Sequence, residues 1–184
     1  NDEMKRSRGI SAFCAVLLML FLALPALPCA SAADDEPQPS FLLSAESRGL
    51  ELRIEVRGEN LKDVYAYQFN LDFDPGRVRF LRASSNISGL TLEPKENRGS
   101  LLFAHTKIGN ASGESGSIVL ATLQFERIAN GAAPFKLSNI KLVDSELHMQ
   151  APETEVHRMV SPLSSRLADI RGHWAELHII AAEE

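Results

Sequence analysis

The chain has 184 residues, and its 19 lysines and arginines are outnumbered by 24 aspartates and glutamates, for a net charge of −5. This acidic balance argues against a nucleic-acid partner, because phosphate backbones select basic surfaces. Both cysteines, Cys14 and Cys29, lie near the N-terminus. The rest of the chain therefore has to fold without disulfides and needs a sizeable apolar core.

The N-terminal segment has the pattern of a secretory signal peptide. Met4 is the expected start, after residues 1–3 of upstream sequence, and a basic stretch precedes an apolar run that ends at Leu27. Ala30-Ser31-Ala32 then supplies an A-x-A cleavage site. The alternative is a membrane anchor, for which the apolar run is near the lower length limit. The cleavage site favours removal, so we predict a signal peptide over residues 4–32.

An acidic, proline-containing spacer is predicted over residues 33–40, and residues 41–150 then have the pattern of an all-β domain. Apolar and polar side chains alternate within short segments, and turn signals such as Gly58-Glu59-Asn60 and Asn130-Gly131 separate the segments. A phase shift at Ser138-Asn139 predicts a kink or a bulge. The expected inward positions are Leu50, Leu52, Ile54, Val56, Val78, Phe80, Val119, Ala121, Leu123, Phe125, Phe135, Leu137, Ile140 and Leu142, and residues 101–104 are expected to form a further short strand.

The clearest strand lies in residues 64–75, which read VYAYQFNLDFDP. Period 2 places one apolar set on one face, namely Tyr65, Tyr67, Phe69, Leu71 and Phe73. The opposite face then carries Ala66, Gln68, Asn70 and Asp72. A strand with one apolar and one polar face is typical of a sandwich or barrel whose outer surface is free to meet a partner.

The C-terminal part changes character twice. Residues 151–165 are polar and contain Pro152 and Pro162, which predicts a linker. From Ala175 to Glu184 the sequence lacks glycine and proline and reads as a helix. Because a single terminal helix cannot bury its apolar face, residues 166–184 are expected to be part of an incomplete module.

A search for catalytic chemistry finds no constellation, so we predict that the chain is not an enzyme. The five histidines form no HExxH pair, and no G-x-S-x-G elbow or phosphate-binding loop is present. Asp72 and Asp74 form the nearest approach to a carboxylate pair or calcium site. We interpret Asp72 as a solvated side chain and Asp74 as a turn cap before Pro75, and we expect neither a metal nor a cofactor.

The segment VYAYQFNLDFDPGRVRFLRASS resembles the signature of the cohesin domain, with an aromatic alternation followed by a [YF]-D-P turn and a short apolar strand. The segment GSIVLATLQFERIANGAAPFKLSNIKLVDSE resembles the later cohesin strands. The resemblance covers about residues 42–150. It implies an all-β sandwich of jelly-roll topology that binds dockerin modules in bacterial complexes that degrade plant polysaccharide.

The resemblance also implies a site. We predict partner binding through Ala66, Gln68, Asn70 and Asp72. Dockerin-binding cohesins often carry an Asn and an Asp where this chain has Ala66 and Gln68, and alanine offers no side-chain hydrogen bond. A carbohydrate-binding sandwich, using Tyr65 and Tyr67 as a stacking platform, and an accessory domain of a wall-attached enzyme are the alternatives.

The segment RLADIRGHWAELHIIAAEE resembles the opening of an S-layer homology module. The matching residues are Asp169, Ile170, Gly172, His173, Trp174 and Ala175. Such modules bind secondary polysaccharide of Gram-positive cell walls. The resemblance implies a cell-wall-binding role for Asp169 and Trp174, and a secreted protein displayed on the cell wall or S-layer.

Overall fold

Residues 37–163 are the part of the chain that the computed structural model describes, and they form eleven strands. The strands are β1 (Ser40–Arg48), β2 (Glu51–Val64), β3 (Ala66–Phe73), β4 (Val78–Ser85), β5 (Leu90–Thr91), β6 (Lys95–Asn97), β7 (Ser100–Thr106), β8 (Glu114–Arg127), β9 (Ala133–Val143), β10 (Met149–Gln150) and β11 (Val156–Val160).

The strands form two antiparallel sheets that pack face to face. The first sheet has the order β1-β2-β8-β4, and the second has the order β10-β9-β3-β7-β5, with β6 paired to β7 and β11 paired to β9. This arrangement confirms the predicted all-β sandwich. The signal peptide and the C-terminal helix are predicted for segments that lie outside the described residues. Within residues 37–163, no helix is long and apolar enough to span a membrane.

Aromatic rings join the two sheets across the core. Phe125 on β8 lies 5.1 Å, centroid to centroid, from Phe73 on β3 and from Phe135 on β9. Tyr67 on β3 adds a polar link, since its hydroxyl donates a hydrogen bond to the carbonyl of Leu120 on β8 and lies 2.6 Å from Ser85 Oγ on β4. Burial raises the pKa of the Tyr67 hydroxyl well above its ordinary value.

The predicted turn at residues 58–60 is wrong, because these residues lie inside β2. The pairing of β2 with β8 shifts register three times, first at Val56/Arg57 and then on either side of Leu61. Asn60 and Asp63 adopt positive φ angles of 54° and 46°. The polar cluster therefore bends a 14-residue strand by bulges instead of ending it.

The predicted set of inward residues in β8 is wrong at one position, because the strand contains a bulge. Ala121 and Leu123 are buried as expected, but Val119 is not buried, and Leu120 is. The register passes from Val56↔Ala121 to Arg57↔Val119, which leaves Leu120 as the extra residue. One inserted residue reverses the faces of the residues that precede it.

The predicted bulge in β9 is confirmed. Gln68 pairs with Lys141 and Asn70 pairs with Ser138, so Asn139 and Ile140 together oppose a single residue of β3. Asn139 adopts a positive φ of 51°. The bulge keeps both the preceding and the following apolar positions of β9 in the core.

The predicted linker at 151–165 requires a correction, as do the domain limits 41 and 150. The first strand begins at Ser40, and the sandwich continues through β11, which pairs with the edge of β9. Pro152 and Pro162 flank β11 and leave its backbone ladder intact. Val160 is buried at its end, so this segment belongs to the folded domain.

A buried arginine holds the chain where it leaves β11. Arg127 ends β8 with 1% of its surface exposed. Its guanidinium donates hydrogen bonds to the carbonyl of Gly131, at 3.2 Å, and to the carbonyl of Ser161, at 2.6 Å. Leu163 is buried nearby, and its backbone N–H donates to Asn130 Oδ1 at 3.1 Å. Residues 161–163 are therefore attached to the sandwich by specific polar contacts.

Candidate partner-binding face

The central strand of the candidate site is β3, which lies between β7 and β9 in the second sheet. Its residues alternate between buried and half-buried positions along the whole strand. Ala66, Gln68, Asn70 and Asp72 are the half-buried set and point away from the core. The structure thus places the four residues on one outer face, while their role in partner binding stays a prediction.

Cross-strand register groups these residues with neighbours into four rows on the outer face of the second sheet. In order across the sheet, the rows are Leu90, Thr106, Ala66, Val143 and Met149; then Leu92, Ala104, Gln68 and Lys141; then Lys95, Leu102, Asn70 and Ser138; and finally Asn97, Ser100, Asp72, Lys136 and His157. The face is therefore apolar at one end and polar at the other.

Large apolar side chains stand exposed on this outer face. Their exposed fractions run from 37% to 63%, and they come from β5, its flanking residue, β7, β10 and β11: Leu90, Leu92, Leu102, Met149 and Met159. Burying such side chains against another surface is favourable by about 25 cal/mol per Å². Exposed apolar groups gathered on one sheet are typical of an interaction surface.

The polar end of the face is internally paired. Ser100 Oγ donates a hydrogen bond to Asp72 Oδ1 at 2.5 Å, and Lys136 Nζ lies 2.7 Å from Glu155 Oε1. The hydrogen bond to Glu155 raises the pKa of Lys136, and the same bond lowers the pKa of Glu155. One oxygen of the Asp72 carboxylate is therefore already hydrogen-bonded to Ser100.

The polar side chains in the middle of the face, unlike those at its polar end, are not paired with one another. Within residues 37–163, the side chains of Gln68, Asn70 and Lys141 have no hydrogen-bond or ion-pair partner. Lys141 is exposed, and the two amides are half-buried. An amide offers donors and an acceptor, and an ammonium offers three donors. These groups are available to a binding partner.

A hollow lies over the apolar end of the face. It has a volume of about 270 Å³, and it is lined by Ala66, Tyr67, Gln68, Ala104, His105, Lys141, Val143 and Met149. Ala66 and Ala104 stop at Cβ, while longer side chains of the neighbouring rows stand around them. Two small residues on adjacent strands thus create the depression.

Loops at the apolar end are held by Asp63. Its carboxylate accepts hydrogen bonds from the backbone N–H of Gly113, at 2.7 Å, and from the N–H and hydroxyl of Ser145. These hydrogen bonds, led by the one from the Ser145 hydroxyl, lower the pKa of Asp63. A side chain at Gly113 would collide with the backbone of Asp63. Ile108 and Leu147, on the two loops so joined, are 69% and 74% exposed.

His105 lies beneath this face, on the core side of β7. It is 3% exposed, its ring lies 5.4 Å from the ring of Tyr67, and its Nδ1 is 2.9 Å from Thr91 Oγ1 on β5. Burial lowers the pKa of His105 below its ordinary value. The hydrogen bond to Thr91 links the short edge strand β5 to β7, and β5 carries the exposed Leu90.

We expect acid to destabilise the fold through His105. Because its pKa is lower in the folded chain than the unfolded value of about 6.5, the unfolded chain binds more protons just below that value. The free energy of unfolding should then fall as pH drops through the unfolded value of about 6.5. Urea denaturation at several pH values measures this slope. His105→Gln should flatten it. An unchanged slope in His105→Gln would contradict the assignment.

The outer face of the first sheet contrasts with that of the second. Its strands carry alternating charges that pair with one another, including Arg48 with Glu46 at 2.9 Å and Arg53 with Glu55 at 2.7 Å. A depression of about 230 Å³ lies among these groups beside Leu81. Because surface ion pairs are well solvated, this face has fewer unsatisfied groups to offer a partner.

Asp72 and Asp74, the two carboxylates considered for metal or catalytic chemistry, make different hydrogen bonds. Asp72 accepts from Ser100 on the outer face, whereas Asp74 Oδ1 accepts from the backbone N–H of Gly76 at 2.8 Å. The interpretation of Asp74 as a turn cap is confirmed. No group of three or more potential metal ligands comes together in the part of the chain that the structure describes.

Several residues of the face were missed in the sequence. Leu102 stands in the run Leu101-Leu102-Phe103, where period 2 points it away from its two buried neighbours. An apolar residue on the solvent side of a strand was the available signal. Lys141 and Met149 gave no local signal, because their place beside Gln68 and Val143 depends on strand pairing.

No protein-family model matches the chain, and no curated protein matches it. Solved structures do. A non-cellulosomal cohesin from the archaeon Archaeoglobus fulgidus has a TM-score of 0.57 and 14% identity, with 74% of this chain and 99% of that chain covered. The sixth cohesin of scaffoldin B from Acetivibrio cellulolyticus, in complex with a mutant of the Cel5 dockerin, has a TM-score of 0.54 and 18% identity, with 67% of this chain and 99% of that chain covered.

A cohesin in a type I cohesin–dockerin complex from Clostridium thermocellum is similar to the same degree. Its TM-score is 0.57, its identity is 12%, and the alignment covers 68% of this chain and 99% of that one. Identities this low are informative about backbone architecture and leave the side chains of the site to be judged from this chain itself. The described part of this chain has the cohesin fold.

Proposed function

We propose that this chain is a non-catalytic binding module that captures a dockerin-type protein on the outer face of the second sheet. The observation that carries the proposal is the contrast between the two outer faces. The second sheet presents exposed leucines and methionines around unpaired Gln68, Asn70 and Lys141, whereas the first sheet presents charges that pair with one another. A sheet face that combines exposed apolar side chains with unpaired polar groups, as the second sheet does, suits protein recognition.

Carbohydrate binding has less support. Stacking on a sugar needs exposed aromatic rings, and every phenylalanine and tyrosine within residues 37–163 is buried or half-buried. Tyr67 is in the core, as expected from its strand position. Tyr65 is half-buried, and its hydroxyl donates to the carbonyl of Gly109 at 2.7 Å. The two tyrosines therefore do not form a platform.

Titration of purified dockerin modules with the full chain tests the proposal. The probes are dockerins encoded in the genome that encodes this chain, together with the two dockerins of the solved complexes. We expect saturable binding of at least one module by calorimetry, in line with the dockerin complexes of the fold's relatives. Retention of the chain on cellulose or xylan, with no dockerin bound, would favour the carbohydrate-binding alternative instead.

The proposal extends to location. Residues 4–32 would direct export, and residues 166–184 would contribute to attachment at a Gram-positive cell wall through Asp169 and Trp174, in the context of polysaccharide degradation. The support is the signal-peptide pattern and the match of DIRGHWA to S-layer homology modules. Co-sedimentation with purified cell walls tests the attachment in a chain extended by further S-layer homology modules, where Trp174→Ala should weaken it; equal sedimentation of the extended chain and its Trp174→Ala variant would refute that role.

A further inference from the structure

We propose that the hollow over Ala66 and Ala104 is the specificity pocket of this face, and that it takes an apolar side chain from a partner helix that presents a carboxylate to Lys141. This inference rests on the proposed function and specifies the chemistry of the partner. The partner must carry an apolar residue at one position and an acidic residue at a neighbouring position of the same helix.

The hollow has the size and lining of a side-chain pocket. Its volume of about 270 Å³ is below the range of roughly 300–1,000 Å³ that is usual for small-molecule sites. Alanine methyl groups form its floor, and Val143 and Met149 form one wall. An unbranched or γ-branched apolar side chain, such as leucine or methionine, fits such a depression. Anchor side chains buried in well-packed pockets contribute a large part of the affinity of protein interfaces.

The positive charge of Lys141 beside the hollow specifies which residue the partner must carry at the second position. Lys141 lines the hollow, is exposed, and has no ion-pair partner within residues 37–163. The other lysine that faces outward from β9, Lys136, is already paired with Glu155. An ammonium that becomes covered by a partner needs an anionic group to offset its lost hydration. Aspartate or glutamate next to the apolar anchor meets that need.

The spacing matches a helix. Ala66 is opposite Val143 and Gln68 is opposite Lys141, so Ala66 and Lys141 are diagonal neighbours on adjacent strands, about 7–8 Å apart and within reach of one another's long side-chain partners. Residues at i and i+4, or i and i+3, of a helix have Cβ atoms about 5–6 Å apart. One helix face can therefore place a leucine in the hollow and a carboxylate at Lys141 one turn away.

A display library tests the inference. The library uses a dockerin scaffold in which the exposed positions of one helix are randomised, and selection is made against the full chain. We expect enriched binders to combine leucine or methionine with aspartate or glutamate three or four positions away. Ala66→Met, which fills the hollow, and Lys141→Glu should each weaken these binders at least about tenfold. A binder whose carboxylate is changed to lysine should regain affinity for Lys141→Glu.

Two further variants separate the possible outcomes. Asn70→Arg blocks the centre of the face, and Ser84→Arg changes an exposed residue on the first sheet. The melting temperature of each variant is measured to check that it folds. Binders that Asn70→Arg abolishes but that tolerate Ala66→Met and Lys141→Glu would overturn the pocket and leave the proposed function in place. Binders that tolerate Asn70→Arg as well would overturn both.

Discussion

Replacing Phe125 with alanine should lower the free energy of unfolding by about 3–5 kcal/mol. Phe125 is 1% exposed and meets rings from both sheets: Phe80 on its own side, and Phe73 and Phe135 across the core. Removing the ring leaves a cavity between two sheets whose strands are held by backbone ladders, so the structure can close the cavity only in part.

Urea denaturation of the full chain and of the variant measures this loss. The matched control is Leu81→Ala on the neighbouring strand β4, where the side chain is 50% exposed at a bulge. That change should shift stability by about 0.5 kcal/mol or less. If Phe125→Ala were as mild as Leu81→Ala, the contacts between Phe125 and the second sheet would not hold the two layers together.

Replacing Asn70 with arginine should weaken dockerin binding at least about 100-fold, equivalent to about 2.7 kcal/mol. Asn70 lies on the middle strand, opposite Leu102 on one side and Ser138 on the other. A long cation at this point would stand between the partner and the face, and it would lose hydration without gaining a partner charge. The fold should tolerate the change, because Asn70 has no side-chain partner within residues 37–163.

Calorimetric titration with a dockerin that binds the unmodified chain provides the measurement. Ser84→Arg introduces the same side chain at an exposed site on the outer face of the first sheet. It should leave the dissociation constant within about twofold, since a distant surface change adds little. Loss of binding in Ser84→Arg, with retention in Asn70→Arg, would move the interface to the first sheet.

Local pattern was sufficient where a strand runs without interruption. In β3, strict period 2 identified the buried set that includes Phe69 and Leu71, and it identified the outward set from Ala66 to Asp72. The phase shift at Ser138-Asn139 likewise located the bulge of β9. These features follow from the alternating geometry of a single strand, which depends only on residues adjacent in sequence.

Pattern failed where another strand decides the outcome. The cluster at residues 58–60 looked like a turn, yet pairing with β8 carries β2 through it. The stretch between Pro152 and Pro162 looked like a linker, yet the free edge of β9 accepts Val156–Val160 as a strand. In both places, hydrogen bonds to a distant segment outweigh the local preference of polar and proline residues.

The sequence by itself determined that this is an all-β sandwich, and it determined which side chains of β3 face outward. Only the tertiary structure decided what surrounds them. Ala66 becomes the floor of a hollow because pairing places Val143 and Met149 on one side and Thr106 on the other, and Lys141 stands beside Gln68 for the same reason. Register between strands that are distant in the chain depends on turns, bulges and packing together, so a binding face made of several strands cannot be read from any one of them.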